Sequence, residues 1–132
     1  MTAFVDASAM VAMITDEPDT YAVAQRFGDA EDTLYSAMSL WETIRAVARK
    51  RKVRMKTAQI EVETFIAEFG LRLVEIGERE AHVAVEVHDC YGKGTGHPAR
   101  LNMGDCFAYA CAKTNGAELL YKGDDFALTD LA

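Results

Sequence analysis

Acidic residues stand at the ends of apolar runs, or within them, at several places in this chain. Asp6 ends the run TAFV, Asp105 lies within LNMGDCFAYAC, and Asp124 and Asp125 follow LLYKG. Carboxylates brought close together repel each other, and desolvation raises their pKa values, so such a group needs a compensating cation. Mg²⁺ prefers carboxylate oxygens, and a cation held by them can polarise a phosphoryl oxygen and activate water. Together with a ridge of basic residues described below, the acidic residues therefore suggest metal-assisted hydrolysis of phosphodiester bonds.

Each of these carboxylates also has a simpler explanation when it is considered alone. Asp6 can cap the helix that follows it, and Glu42 fits an S-x-x-E capping box with Ser39. Asp105 falls in a first helical turn, where the helix dipole favours a negative charge by ~0.3–1 kcal/mol. The two acids after LLYKG can be turn residues that follow a glycine. These separate roles do not explain why all the acids stand at strand ends or helix starts, which predicts that they share one rim.

The elements that must position these residues alternate between strands and helices. Apolar runs predict strands at about residues 2–5, 33–36, 71–76 and 117–121. Helical periodicity predicts helices over about 8–14, up to 27, 40–52, 57–69 and 78–91, with a last one in the stretch that contains Asp105. The pattern predicts an α/β fold in one domain over residues 1–132, with a central parallel sheet of four to five strands and helices on both faces. Ligands of such sheets bind beyond the carboxyl ends of the strands, where the strand order reverses.

Two helices have inner faces that we predict from their apolar residues. The predicted inner positions are Ile60, Thr64, Ile66 and Ala67 in one helix, and Ala81 and Val85 in the next. The three cysteines are not in a C-x-x-C spacing, so we expect buried side chains and neither disulfides nor a structural zinc site.

Charge is distributed unevenly along the chain. The 14 basic and 21 acidic residues give a formal net charge of −7, which by itself argues against a nucleic-acid partner. Seven of the basic residues nevertheless lie between residues 45 and 56, a span without any acidic residue. This basic ridge either contacts phosphates, with Arg49, Lys50, Arg51 and Lys52 as candidate RNA contacts, or is a solvated helix end whose cations suit the helix dipole.

The N-terminal stretch MTAFVDASAMVAMITDEPD has no basic region before its apolar residues and contains four acidic residues. With acidic residues at Asp6, Asp16, Glu17 and Asp19, it is unlike a secretory signal or a membrane span, so we expect a cytoplasmic protein that does not contact membranes.

Four stretches of the chain form an ordered set: FVDASA, SLWE, YGKG followed by HPARLNMGDCFAY, and LLYKGDDF followed by TD. In order and spacing they resemble the PIN-domain toxins of VapBC toxin–antitoxin systems. The resemblance covers essentially the whole chain, and LNMGDCFAYA and LLYKGDDF are its most specific parts. It implies a ribonuclease that depends on Mg²⁺ or Mn²⁺ and is inhibited by a cognate VapB-type antitoxin.

Carried over residue by residue, the resemblance implies that Asp6 and Asp105 are the principal metal ligands. Glu42 would complete the site directly or through water, and the Ser8 hydroxyl would support the first aspartate. The fourth acidic position falls within GDDF, where Asp125 is preferred.

Asp124 is the alternate for that fourth acidic position. His97 and Arg100 are further candidate RNA contacts, and Arg100 departs from a glycine that is frequent at its position in the family. The resemblance also implies a homodimer that can form a higher assembly with the antitoxin, and contact with operator DNA only through that antitoxin.

Two other functions compete with a ribonuclease. A receiver domain also combines an α/β sheet with acidic strand ends, but it needs paired acids after the first strand and a phosphorylatable aspartate after the third, and LRLVEI supplies none. The other alternative is a catalytically weak PIN-fold binding module that acts mainly as an antitoxin partner in operon autoregulation. The presence of all the acids favours activity over this alternative.

Overall fold

The computed structural model describes every residue from Met1 to Ala132. The four strands are β1 (Thr2–Val5), β2 (Asp32–Tyr35), β3 (Arg72–Leu73) and β4 (Glu118–Leu120). The six helices are α1 (Ala7–Ile14), α2 (Tyr21–Asp29), α3 (Ala37–Arg51), α4 (Met55–Phe69), α5 (Glu78–Tyr91) and α6 (Met103–Thr114). None of these helices combines the length and the apolarity that a membrane crossing requires.

All strand pairs are parallel, and the order across the sheet is β3-β2-β1-β4. The chain builds outward from β1 through β2 to β3, and then returns to add β4 on the other side of β1. The strand order therefore reverses between β1 and β4, and the carboxyl ends of these two strands flank the crevice where such sheets bind ligands. This confirms the predicted α/β fold with a parallel sheet.

Alternate residues of the strands face opposite sides of the sheet, and each side is covered by helices. Phe4, Leu34 and Leu119 belong to a buried cluster with residues of α5 and α6. Val5 and Leu120 belong to a second cluster with residues of α1, α3 and α4. Burying one such large apolar side chain contributes ~1.5–3 kcal/mol, so the two clusters hold the helices firmly against the sheet.

Helix α3 begins about one turn earlier than the sequence pattern predicted. Its N-cap is Ser36, whose Oγ accepts a hydrogen bond from Ser39 N at 3.1 Å, while Ser39 Oγ accepts one from Ser36 N at 2.9 Å. The predicted capping box of Ser39 with Glu42 is therefore wrong. The Glu42 carboxylate has no capping role and is available for other interactions.

The predicted inner faces of α4 and α5 are mostly wrong. Helix α4 buries Ile66 as predicted, but Ile60 is 69% exposed, Thr64 and Ala67 are exposed too, and the row that packs inward is Ala58, Val62 and Ile66. In α5, Val85 is 63% exposed and the buried positions include Ala84 and Val87. Apolar residues occur on both sides of these helices, so local periodicity does not identify the side that meets the sheet.

Two smaller differences concern the sheet edge and the cysteines. The strand predicted over residues 71–76 is only two residues long, although the Val74 amide still donates to Tyr35 O at 2.8 Å. Cys106 and Cys111 are buried as predicted, whereas Cys90 is exposed.

Candidate active site

Asp6 follows β1 directly and forms the N-cap of α1. Its Oδ2 accepts hydrogen bonds from Ser8 N at 3.0 Å and from Ser8 Oγ at 2.6 Å. The same hydroxyl oxygen accepts a hydrogen bond from Lys122 N at 3.0 Å, and Asp6 N donates to Leu120 O at 2.9 Å. The carboxyl ends of β1 and β4 are thus joined at the point where the strand order reverses. Because both hydrogen bonds go to Oδ2, Asp6 Oδ1 remains available for another partner.

Asp105 occupies the first turn of α6 and takes part in a capping box with Asn102. Asn102 Oδ1 accepts a hydrogen bond from Asp105 N at 2.9 Å, and Asp105 Oδ2 accepts one from Asn102 N at 3.1 Å. The residues that follow in the helix, among them Cys106 and Tyr109, are buried against the sheet. The capping box orients the Asp105 side chain, and the buried helix holds it in place.

Glu42 reaches the start of α6 through a close approach that only glycine permits. A Cβ atom at Gly104 would lie 2.1 Å from Glu42 Oε2 and 2.8 Å from Glu42 Oε1. Gly104 was not among the residues predicted to matter. Its signal in the sequence is a glycine within a helical turn, where it costs ~0.5–1 kcal/mol relative to alanine.

Burial and mutual repulsion raise the pKa values of three carboxylates. The pKa of Glu42 is raised to about 7 by burial and by the charges of Asp6 and Asp105. Burial raises the pKa of Asp105 to about 6, aided by the charges of Asp6 and Asp125 and opposed by the hydrogen bond from Asn102. Burial also raises the pKa of Asp6, which is 6% exposed, and Asp125 adds to that effect against the hydrogen bonds from Ser8.

The four carboxylates of Asp6, Glu42, Asp105 and Asp125 therefore lie close enough for their negative charges to repel one another. Asp125 is among the main causes of the raised pKa values of Asp6 and Asp105, and Asp124 is not. This difference favours Asp125 over Asp124 for the fourth acidic position.

The donor chemistry of this group suits a hard divalent cation. Carboxylate oxygens are the ligands that Mg²⁺ selects, and a cation would relieve the repulsion that raises the pKa values. No group of three or more His, Cys, Asp or Glu side chains is arranged so that it could hold a metal ion without rearrangement. The residues fit the cation by chemistry and charge, whereas their geometry in this structure does not form a complete metal site.

The basic ridge lies at the C-terminal end of α3 and in the turn to α4. Lys50 donates to Glu17 Oε2 at 3.1 Å, and Arg51 forms an ion pair with Glu61 at 3.0 Å. Arg49 and Lys52 are exposed and form no ion pair. Since α3 rises ~1.5 Å per residue, Arg49 and Lys52 lie ~10–15 Å along the helix from Glu42.

The loop between α5 and α6 carries the two remaining candidate RNA contacts. The His97 ring packs edge-on against Tyr91 with ring centroids 4.9 Å apart, and its Nδ1 accepts a hydrogen bond from Ala99 N at 3.0 Å. Arg100 is exposed and has a φ of 51°, in the left-handed region that glycine adopts without strain. This backbone conformation would suit the glycine that the resemblance led us to expect at this position.

The family model that describes the PIN domain matches residues 3–131 of this chain. A VapC ribonuclease of Rhizobium meliloti is 38% identical over an alignment of 139 positions, which covers 97% of this chain and 98% of the relative. Ribonuclease VapC42 of Mycobacterium tuberculosis is 32% identical over 127 residues, which cover 96% of this chain and 95% of the relative.

Solved structures share the fold at lower sequence identity. The crystal structure of VapC20 of Mycobacterium tuberculosis, a Sarcin-Ricin loop cleaving toxin, aligns with a TM-score of 0.71 and 17% identity over 95% of this chain and 92% of that chain. A chain of a toxin-antitoxin complex from Klebsiella pneumoniae aligns with a TM-score of 0.69 and 18% identity over 98% of this chain and 93% of that chain.

Proposed function

The chain belongs to the PIN-domain family and, within it, to the VapC ribonuclease toxins, and from that membership we propose that it hydrolyses RNA phosphodiester bonds with the help of Mg²⁺ or Mn²⁺. The observation that carries the proposal is that four carboxylates lie near one another at the crevice between β1 and β4, where their charges repel. Membership in this family excludes the receiver-domain alternative. We take residues 1–132 as one PIN domain.

In the proposed site, Asp6 and Asp105 are the principal ligands of the cation and Glu42 completes the set directly or through water. A divalent cation in this position supplies a polarised phosphoryl oxygen and an activated water. Ser8 holds one oxygen of Asp6 by its amide and its hydroxyl, which leaves the other oxygen free to bind. Asp125 adds negative charge that favours cation binding, with Asp124 as the alternate in this role.

Substrate binding is proposed to use cations outside the acidic group. Arg49 and Lys52 are exposed and free of ion pairs, so they can contact RNA phosphates without breaking internal contacts. Lys50 and Arg51 are candidates that would first have to exchange a carboxylate for a phosphate. His97 and Arg100 lie in the loop that leads to α6, and we propose that they contact RNA at the rim of the site.

The remaining proposals concern partners. Two of the solved relatives are a toxin-antitoxin complex and a VapBC2 assembly from Rickettsia felis bound to a DNA fragment from their promoter. By analogy, we propose that a VapB-type antitoxin inhibits this chain and mediates its contact with operator DNA. We also propose a homodimer that joins a higher assembly with the antitoxin, and action in the cytoplasm, where RNA is available. The catalytically weak binding module is the alternative that measured hydrolysis would exclude.

A cleavage assay on mixed structured RNAs tests the proposed chemistry. We expect hydrolysis with Mg²⁺ or Mn²⁺, none in EDTA, and a loss of at least ~100-fold in Asp6→Asn and Asp105→Asn, because each change removes a charged ligand. Asp29→Asn, an exposed residue at the end of α2, is the matched control and should keep full activity. Hydrolysis that persists in EDTA and in both site variants would refute the proposal.

A further inference from the structure

A cavity of about 430 Å³ adjoins the acidic group and is lined partly by side chains that have no part in the proposed chemistry. Ser8 and Glu42 form one part of its wall, so the cavity is continuous with the acidic site. Lys122 and Glu17 form another part, and both side chains are only 26% exposed. The cavity therefore places a partly buried ammonium group beside the proposed cation site.

One carboxylate in this cavity holds two lysines. Lys122 Nζ donates to Glu17 Oε1 at 3.1 Å, and Lys50 Nζ donates to Glu17 Oε2 at the same distance. The three side chains together carry a formal surplus of one positive charge. A partly buried charge interacts more strongly than one in bulk water. This surplus therefore favours an anion, whereas Glu42 in the same wall opposes one until a cation neutralises that carboxylate.

The position of Lys122 is set by its backbone and not by its side chain. Its amide donates to Ser8 Oγ, and that hydroxyl donates in turn to Asp6. The backbone that follows β4 is therefore joined to the first proposed metal ligand, while the side chain extends into the cavity toward Glu17. A substitution of the side chain leaves the link through the backbone intact.

We propose that Lys122 binds a backbone phosphate of the RNA strand next to the phosphodiester that is cut. Until the RNA binds, Glu17 forms an ion pair with the Lys122 ammonium group, and the phosphate then displaces the Glu17 carboxylate. This inference rests on the proposed ribonuclease function. Lys122 is a positioning residue in this scheme, because it contacts the substrate strand away from the reacting atoms. Glu17 holds the lysine in the cavity but competes with the phosphate for it.

The phosphate role and a purely structural ion pair predict different results for two substitutions. If Lys122 binds phosphate, Lys122→Met weakens RNA binding, whereas Glu17→Gln tightens it because a competing negative charge is removed. If the ion pair only joins the α1–α2 connection to β4, both substitutions lower stability and neither changes RNA affinity selectively.

The test measures binding of a short fluorescein-labelled single-stranded RNA of mixed sequence by fluorescence anisotropy, in EDTA and at several salt concentrations. For Lys122→Met we expect the dissociation constant to rise about fivefold to tenfold. The slope of log affinity against log salt should fall by about 0.7, the contribution of one phosphate contact on a single strand. Lys122→Arg should keep the wild-type slope because it keeps the charge. Glu17→Gln should lower the dissociation constant.

Lys113→Met is the matched control. Lys113 also forms an ion pair, with Asp130, but it lies in the last turn of α6, ~12 Å along the helix from Asp105. The control should leave affinity and slope unchanged. Equal slopes for Lys122→Met and the wild type, or weaker binding by Glu17→Gln, would overturn the inference. Because EDTA removes the cation, the binding result is separate from whether the protein hydrolyses RNA.

Discussion

Replacing Gly104 by alanine tests whether the position of Glu42 matters. The new Cβ would lie 2.1 Å from Glu42 Oε2, and ordinary contact begins at 3.4 Å, so the carboxylate must retreat by about 1.3 Å. That carboxylate is the end of a flexible side chain, so the retreat costs little stability. Alanine also favours the helix by ~0.5–1 kcal/mol relative to glycine. We expect a protein at least as stable as the wild type with a displaced Glu42.

A displacement of this size near reacting groups can reduce catalysis about 100-fold. We therefore expect kcat/KM for RNA in Mn²⁺ to fall by that order in Gly104→Ala, while urea unfolding shows unchanged or higher stability. Gly28→Ala is the control, because a Cβ at this position in α2 meets no atom within 4 Å. It should gain similar stability and keep full activity. Full activity in Gly104→Ala would refute the reasoning that the approach of Glu42 to α6 is needed.

Three further predictions concern pH, stability and RNA binding. Burial and repulsion raise the pKa values of Glu42 and Asp105 to about 7 and about 6, so the folded protein binds protons more readily than the unfolded chain. Urea unfolding in EDTA should therefore show a free energy of unfolding that rises from pH 8 to pH 5.5. A free energy that falls over this range would contradict the mutual repulsion of the carboxylates. Asp130→Asn should lower the free energy of unfolding by about 1 kcal/mol at pH 7, because it weakens hydrogen bonds from a tyrosine and a lysine. Those hydrogen bonds hold the pKa of Asp130 below its usual value, so the loss of unfolding free energy in Asp130→Asn should shrink as the pH falls below about 4. Equal losses at pH 7 and pH 3 would show that these hydrogen bonds are not the cause. Arg49→Glu with Lys52→Glu should weaken RNA binding and flatten its salt dependence, whereas an unchanged slope would make the basic ridge a solvated helix end.

The parts of the fold and site that depend on local sequence could be predicted. Alternating apolar runs and helical segments gave the parallel sheet, and the rule for strand reversal gave the crevice. Asp6 and Asp105 could be located because a strand end and a helix start are set by a few adjacent residues. Asp6 is the N-cap of α1 and Asp105 lies in the first turn of α6, as the simpler explanations held, and both positions are compatible with a role in the site.

The parts that depend on distant contacts could not be predicted. The approach of Glu42 to Gly104 joins α3 to α6, and no local pattern indicates which helices meet there. The capping box was misassigned because Ser36 and Ser39 both fit locally, and the choice depends on where β2 ends. The ion pair between Glu17 and Lys122 spans 105 positions in the chain, so its two ends cannot be matched by spacing alone.

Direct measurement of Mn²⁺ binding tests the central claim that Asp6 and Asp105, together with Glu42, bind a divalent cation. Free Mn²⁺ can be followed by its electron paramagnetic resonance signal during titration at pH 8, where Glu42 and Asp105 are ionised. We predict saturable binding by the wild type and by Asp29→Asn, and a loss of at least tenfold in affinity in Asp6→Asn and Asp105→Asn. Equal Mn²⁺ affinity in all four proteins would contradict the assignment of the site.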